Sequence, residues 1–302
     1  HWMVRRQRQM CIRDRLDGDP ENRGSVPLKE ENVERLDEYM RAFNQPVSRV
    51  SLEQGEYANT GFTQWGASGL AAAWAEENTR ESIFNAFRRK ETFATTGTRI
   101  AVRFFGGYNL SSIDLNSESL VSEAYQKGVT MGSDLLHNEN KIPEFLVWAQ
   151  RDKNGAPLQR IQIIKGWIDN NSGRPKEKVF DVACSDGMQP DPITNRCPDN
   201  GARVNINDCS ITTNVGSSEL KTVWKDPEFA PDDKTFYYVR VLENPTCRWS
   251  TWDAIKAGYK PREGLHETIQ ERAWSSPIWY IPEQSDVEVV PLGGTIQLRN
   301  ID

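Results

Sequence analysis

Apolar positions along this chain change their period near its first third. Leu70–Ala75 is a short uninterrupted apolar run, as a strand covered on both faces requires. Glu76, Glu77 and Asn78 break it. Asn78 with Glu81 has capping-box spacing, and Ile83, Phe84, Ala86 and Phe87 share one helical face. Arg88, Arg89 and Lys90 close the helix where its dipole favours cations, and Thr95-Thr96-Gly97 ends the unit. This strand, polar corner, helix and strand predict one α/β repeat.

Beyond Gly97 the period falls to two. Ile100, Val102 and Phe104 alternate, as do Phe145, Val147 and Ala149, and Ile161, Ile163 and Lys165. Further runs at 179–182, 220–224, 236–242, 277–281, 287–290 and 295–298 are bounded by Gly, Pro, Asn or Asp. Short strands so spaced predict an antiparallel β-sandwich, interrupted by one helix over 117–127. Arg151–Gly155 followed by Leu158–Trp167 predicts a hairpin on an Asn-Gly turn. Upstream, 30–43 carries a narrow apolar helical stripe, and 44–68 is Gly-, Ser- and Thr-rich, an ordered flap or surface loop. A domain boundary is placed near Gly97. Residues 1–16 are basic and aperiodic. Gln7–Arg15 resembles translated sequencing-adapter sequence, so this leader is set aside as artefactual or disordered, against the alternative of a natural basic arm.

Composition narrows the partners. The formal charge of −6 over 302 residues argues against nucleic acid, and no apolar stretch is long enough to span a bilayer. Cys184, Cys197, Cys209 and Cys247 all lie in the β-rich half. The loop between Cys184 and Cys197 has little core of its own, which favours pairing 184–197 with 209–247, although four cysteines allow three pairings. Disulfides predict a periplasmic or extracellular protein. A zinc site lacks Cys-x-x-Cys or His-x-His spacing.

Candidate chemistry is sparse. Glu76, Glu77 and Asn78 stand where an α/β strand delivers its side chains, beside Arg80. Acids there also simply start a helix. His137 and His266 lie in polar loops and read as surface histidines. Trp249, Trp252 and Trp274 adjoin Arg248 and Arg272, as a stacking platform or as internal cation–π packing.

Seven segments carry a resemblance: Leu70–Arg80, Phe93–Gly97, Met131–Asp134, Arg160–Trp167, Tyr237–Glu243, Arg248–Thr251 and Glu271–Tyr280. In this order they resemble the C-terminal half of the bacterial domain of unknown function 3604 family, itself similar to the polymerase-and-histidinol-phosphatase (PHP) superfamily of metal-dependent phosphoesterases, whose members here look exported. The resemblance implies an α+β chain: a strand–helix remnant of an α/β barrel with its flap over 17–97, then an antiparallel β-sandwich over 98–302. It implies a zinc- or manganese-dependent hydrolase of a small-molecule ester as the intact parent, with the first half of the barrel as missing partner. The family's His-x-His and Asp-x-His motifs have no counterpart here, so no metal ligand or cofactor is assigned to this fragment. Glu76, Glu77, Asn78 and Arg80 would then line or support the barrel mouth. The alternative is a non-catalytic secreted module binding carbohydrate or protein through Trp249, Trp252 or Trp274.

Overall fold

A computed structural model describes residues 2–7, 48–52, 55–59, 69–138, 141–169, 173–258, 260–261 and 265–283, the first three segments as backbone. The predicted helix over 30–43, most of the loop over 44–68, and the strands at 287–290 and 295–298 lie outside the described residues. In chain order the strands are β1 (Trp2–Gln7), β2 (Ser48–Leu52), β3 (Gly55–Asn59), β4 (Leu70–Ala75), β5 (Thr92–Thr95), β6 (Ala101–Gly107), β7 (Gly128–Thr130), β8 (Asp134–Leu136), β9 (Glu144–Gln150), β10 (Leu158–Ile168), β11 (Pro175–Cys184), β12 (Glu219–Lys225), β13 (Thr235–Glu243), β14 (Thr246–Cys247), β15 (Thr268–Ile269), β16 (Arg272–Ser275) and β17 (Ile278–Ile281). The helices are α1 (Arg80–Arg88), α2 (Leu120–Lys127) and α3 (Trp249–Ala257).

The result is mixed and sheet-rich. A large sheet runs β1-β4-β5-β16-β13-β10-β11, with β17 beside β13 and β8 parallel to β17. A smaller antiparallel sheet runs β12-β9-β6-β7. Their facing sides share one core. Val102, Phe104, Phe145, Val147 and Ala149 enter it from the small sheet, and Ile161, Ile163, Phe180, Tyr237, Val239 and Val241 from the large one. The Phe145 ring lies 4.3 Å from that of Tyr237 and 5.7 Å from that of Phe104. The alternation read from the sequence is this inward set. Arg103, Phe105 and Leu146 take the other face of the small sheet, where Phe105 and Leu146 pack with α2 through Leu120 and Ala124.

Polar groups brace both sides of the core. Lys165 alternates with Ile161 and Ile163 and is buried with them. Its Nζ lies 2.6 Å from Asp226 Oδ2, which also accepts the Tyr237 hydroxyl at 2.8 Å. The pair survives burial because both charges are further hydrogen-bonded: Nζ donates to the Glu228 carbonyl at 2.7 Å, and the Glu228 amide donates to Asp226 at 2.9 Å. Arg103 lies over the Trp74 ring at 3.8 Å and donates to the Tyr125 hydroxyl at 3.0 Å, while that hydroxyl donates to buried Glu91.

Several local readings are corrected. β4 and β5 pair antiparallel, Leu70 opposite Thr95, so α1 joins two neighbours of one sheet and is not a parallel α/β crossover. β5 pairs antiparallel with β16, so the large sheet takes strands from both sides of Gly97. β4 is covered on both faces as its apolar run requires: Ala72 enters the sandwich core, and Ala73 and Ala75 meet Ala86 of α1. The N-cap of α1 is Thr79, which accepts from the Ser82 amide, not Asn78. Ala86 supplies its buried side with Ile83 packed alongside, whereas Phe84 and Phe87 are 58% and 43% exposed. The Asn154-Gly155 segment is not a hairpin. β9 belongs to the small sheet and β10 to the large one, so it is a corner between layers. Asp152 builds that corner by accepting the Asn154 amide at 3.0 Å and the Arg99 amide at 2.8 Å, and neither Asn154 nor Gly155 takes positive φ. The leading segment supplies β1, aligned antiparallel along β4 with Trp2 opposite Ala75.

Phe145→Ala, which empties the centre of the core, is expected to lower stability by about 3–5 kcal/mol, and Phe84→Ser to change it by no more than about 0.5 kcal/mol. Urea unfolding of the two variants checks the contrast.

Candidate functional site

The two faces of β10 have different fates. Ile161 and Ile163 point into the core, while Arg160 and Gln162 point to the outer face of the large sheet. Antiparallel pairing sets Gln162 opposite Arg240 of β13 and Asp181 of β11, and sets Arg160 and Arg272 opposite Leu242. Asp181 organises this face. Its Oδ1 accepts from Gln162 Nε2 at 2.6 Å and from Arg196 at 3.4 Å, and its Oδ2 accepts the Cys197 amide at 2.7 Å. Gln162 in turn accepts from Arg240 Nε at 2.7 Å.

Two disulfides hold the surrounding loops, with the pairing the loop lengths favour: Cys184–Cys197, 13 residues apart, and Cys209–Cys247, 38 apart. The first ties the segment after β11 back onto it. The second ties the following loop to β14, beside α3. Between the first disulfide, the 198–203 segment and β15 opens a cleft of about 510 Å³, lined by Gln159, Arg160, Arg203, Thr268 and Gln270 among others. At its rim Arg203 pairs with Asp199 through two hydrogen bonds, at 2.7 and 3.2 Å, and this guanidinium holds the Asp199 carboxyl down at about 2. Gln270 bridges Gln159 at 2.8 Å and the Glu243 carbonyl at 3.0 Å.

Glu243, at the end of β13, is fully buried, and neither carboxyl oxygen meets a hydrogen-bond donor in good geometry. Burial pushes it up to about 8, with Glu271 and Asp152 adding repulsion and the Thr98 hydroxyl opposing only partly.

The residues singled out in sequence sit elsewhere. Glu76, Glu77 and Asn78 follow the end of β4 and are exposed, as is Arg80 at the start of α1. The Glu77 amide donates to Ser82 Oγ at 3.1 Å, so this corner is the cap of α1. None of the four lines the cleft. His266 is exposed, but His137 is not a free surface histidine: its Nδ1 lies 2.7 Å from the Tyr280 hydroxyl, which donates to the Pro231 carbonyl at 2.9 Å. Trp252 is 40% exposed, while Trp249 and Trp274 are half-buried with Arg248 and Arg272 over their rings at 4.7 and 5.9 Å. Among the described residues no three His, Cys, Asp or Glu side chains converge as metal ligands, and the exposed acids at 76–77 do not fit such a group. No helix of the described residues is long and apolar enough to cross a membrane.

The arginines around Asp181 are missed in sequence because they come from separate strands and from the loop after β11. The available signal was the outward phase of Arg160 and Arg240 in two alternating runs. Compared with known proteins, the chain matches the family described as "Protein of unknown function (DUF3604)" over residues 29–282. No curated protein and no solved structure matches it.

Glu243 titrates higher folded than unfolded, where a glutamate ionises near 4.3. Its contribution is therefore fully present below about pH 4 and lost as pH rises through about 8. Glu243→Gln is expected to raise the melting temperature at pH 9 and to leave it nearly unchanged at pH 4, as thermal unfolding at both pH values measures. Opening the disulfides by Cys184→Ser with Cys197→Ser, or Cys209→Ser with Cys247→Ser, is expected to cost about 3 and about 4 kcal/mol respectively, from the loop each closes. Chemical denaturation of the two double variants measures these costs.

Proposed function

This chain belongs to the DUF3604 family, and on that footing we propose that it is the sandwich-bearing part of an exported metal-dependent hydrolase of PHP type, acting on a small-molecule ester. The observation that carries this reading is spatial. Of the segments that resemble the DUF3604 family, Leu70–Arg80, Phe93–Gly97, Glu271–Tyr280, Tyr237–Glu243 and Arg160–Trp167 fall on β4, β5, β16, β13 and β10, which are consecutive neighbours in one sheet. A likeness scattered along the chain thus becomes one continuous surface.

In this proposal the strand–helix unit Leu70–Thr95 belongs with the sandwich, where antiparallel pairing puts it, and the barrel lies outside the described residues. A zinc or manganese ion held in that barrel would supply a water activated as nucleophile near neutral pH. The described residues brace that centre without furnishing its ligands. Glu76, Glu77, Asn78 and Arg80 form an exposed rim that would meet the barrel mouth, Arg80 suiting an anionic substrate group. Two disulfides support export, because such bonds persist in oxidising compartments. The rival reading, a carbohydrate- or protein-binding module presenting Trp249, Trp252 and Trp274, has less support, since two of those indoles already face an arginine.

The chain by itself is expected to retain no stoichiometric zinc or manganese after dialysis and to release no nitrophenol from p-nitrophenyl phosphate above background. Elemental analysis with that assay decides it. Stoichiometric metal together with turnover overturns the assignment of catalysis to residues other than the described ones.

A further inference from the structure

On the outer face of the large sheet the charges do not balance. Arg160, Arg240 and Arg272 project from β10, β13 and β16, and Arg196 joins them from the disulfide loop. Burial depresses the Arg160 guanidinium, Asp181 opposes that, and repulsion from Arg196, Arg240 and Arg272 adds to the depression. Asp181 is the carboxylate at their centre, and Gln162, Arg196 and the Cys197 amide already occupy its oxygens. Arg160 Nε is left 3.7 Å from Asp181 Oδ2, buried and without a hydrogen-bond partner, while one Nη donates to Gln159. Glu271 is the other acid near Arg272, and it accepts the Thr96 hydroxyl.

Arg160 also lines the cleft of about 510 Å³, which adds the polar side chains of Gln159, Gln270 and Thr268. Arg196, Arg240 and Arg272 lie beyond its lining, and positive charge clustered beside a hollow is unfavourable alone and favourable once an anion shares it. A guanidinium fork matches the oxygens of an oxyanion, and amide and hydroxyl groups match those of a polar carrier. Arg203 is held by Asp199 and serves as rim rather than donor.

We propose that this cleft is a binding site for a phosphate or sulfate group carried on a small polar ligand, with Arg160 as its principal donor and Arg196, Arg240 and Arg272 supplying the field. The site is independent of the hydrolase reading: a chain that hydrolyses nothing still binds the oxyanion, and a failed titration leaves the family assignment untouched.

The test is calorimetric titration of the full chain with inorganic phosphate, inorganic sulfate, methyl phosphate and acetate, at ionic strength held constant with chloride. Saturable one-site binding of phosphate, sulfate and methyl phosphate in the millimolar range or tighter is expected. Arg160→Gln is expected to weaken it about tenfold, as loss of a charge-assisted hydrogen bond does. Asp199→Asn, on the exposed rim, removes a repelling charge and is expected to tighten it about threefold. Lys127→Gln, on the helix covering the other sheet, is expected to change nothing and controls for net charge. The proposal is overturned if no tetrahedral anion saturates the chain below about 10 mM, if Asp199→Asn and a folded Arg160→Gln both bind as the unaltered chain does, or if acetate alone binds.

Discussion

The antiparallel register between β10 and β13 is the constraint on which the rest depends. It sets Ile161 opposite Val241 and Ile163 opposite Val239, and so commits four apolar side chains to the core together. The same register sends Gln162 and Arg240 outward as a bonded pair. A slip of one residue would exchange the two sets, burying guanidinium and exposing isoleucine. Tyr237 adds a lock at one end, since its ring packs on Phe145 while its hydroxyl reaches Asp226 and hence Lys165. A shifted strand would leave that lysine buried and unpaired, a far larger penalty than any single lost packing contact.

Around this ladder the outer parts are held by different means. Helices α1 and α2 cover apolar patches on opposite sheets and are short, so packing stabilises them more than propensity does. The loops beyond β11 have few buried apolar groups, and the disulfides and side-chain hydrogen bonds hold them instead. Asp181 links the two systems. It belongs to a strand, yet it accepts the amide of Cys197 in the loop, so the strand, the disulfide and the cleft wall are tied together.

This division separates the braced core from the surface cleft proposed to hold an anion. The core resembles any well-filled sandwich and carries little information about ligands. The cleft joins elements far apart in the chain: the start of β10, the loop after Cys197, and the segment from Thr268 to Gln270.

Much of the scaffold was legible in the sequence, because strand alternation and disulfide loop length are local properties. The bounds of β4, the inward phase of β6, β9 and β10, and the helix ending at Lys127 all follow from spacing alone. The failures share one cause. Whether Asn154-Gly155 turns a strand back on itself or carries it to the other layer depends on which partners the flanking strands find, and those partners are distant in the chain. Phe84 and Phe87 lie on the predicted apolar stripe, but the small alanines of β4 bring the helix in on Ala86 and leave those rings outside. The arginines near Asp181 come from separate strands and from the loop after β11, so nothing local marks them as neighbours. By itself the sequence determined which residues could be strands and which way each faces. Tertiary structure alone decided which strands lie side by side, because pairing energy is gained only between segments the chain has brought together, and with that it decided where four positive charges meet.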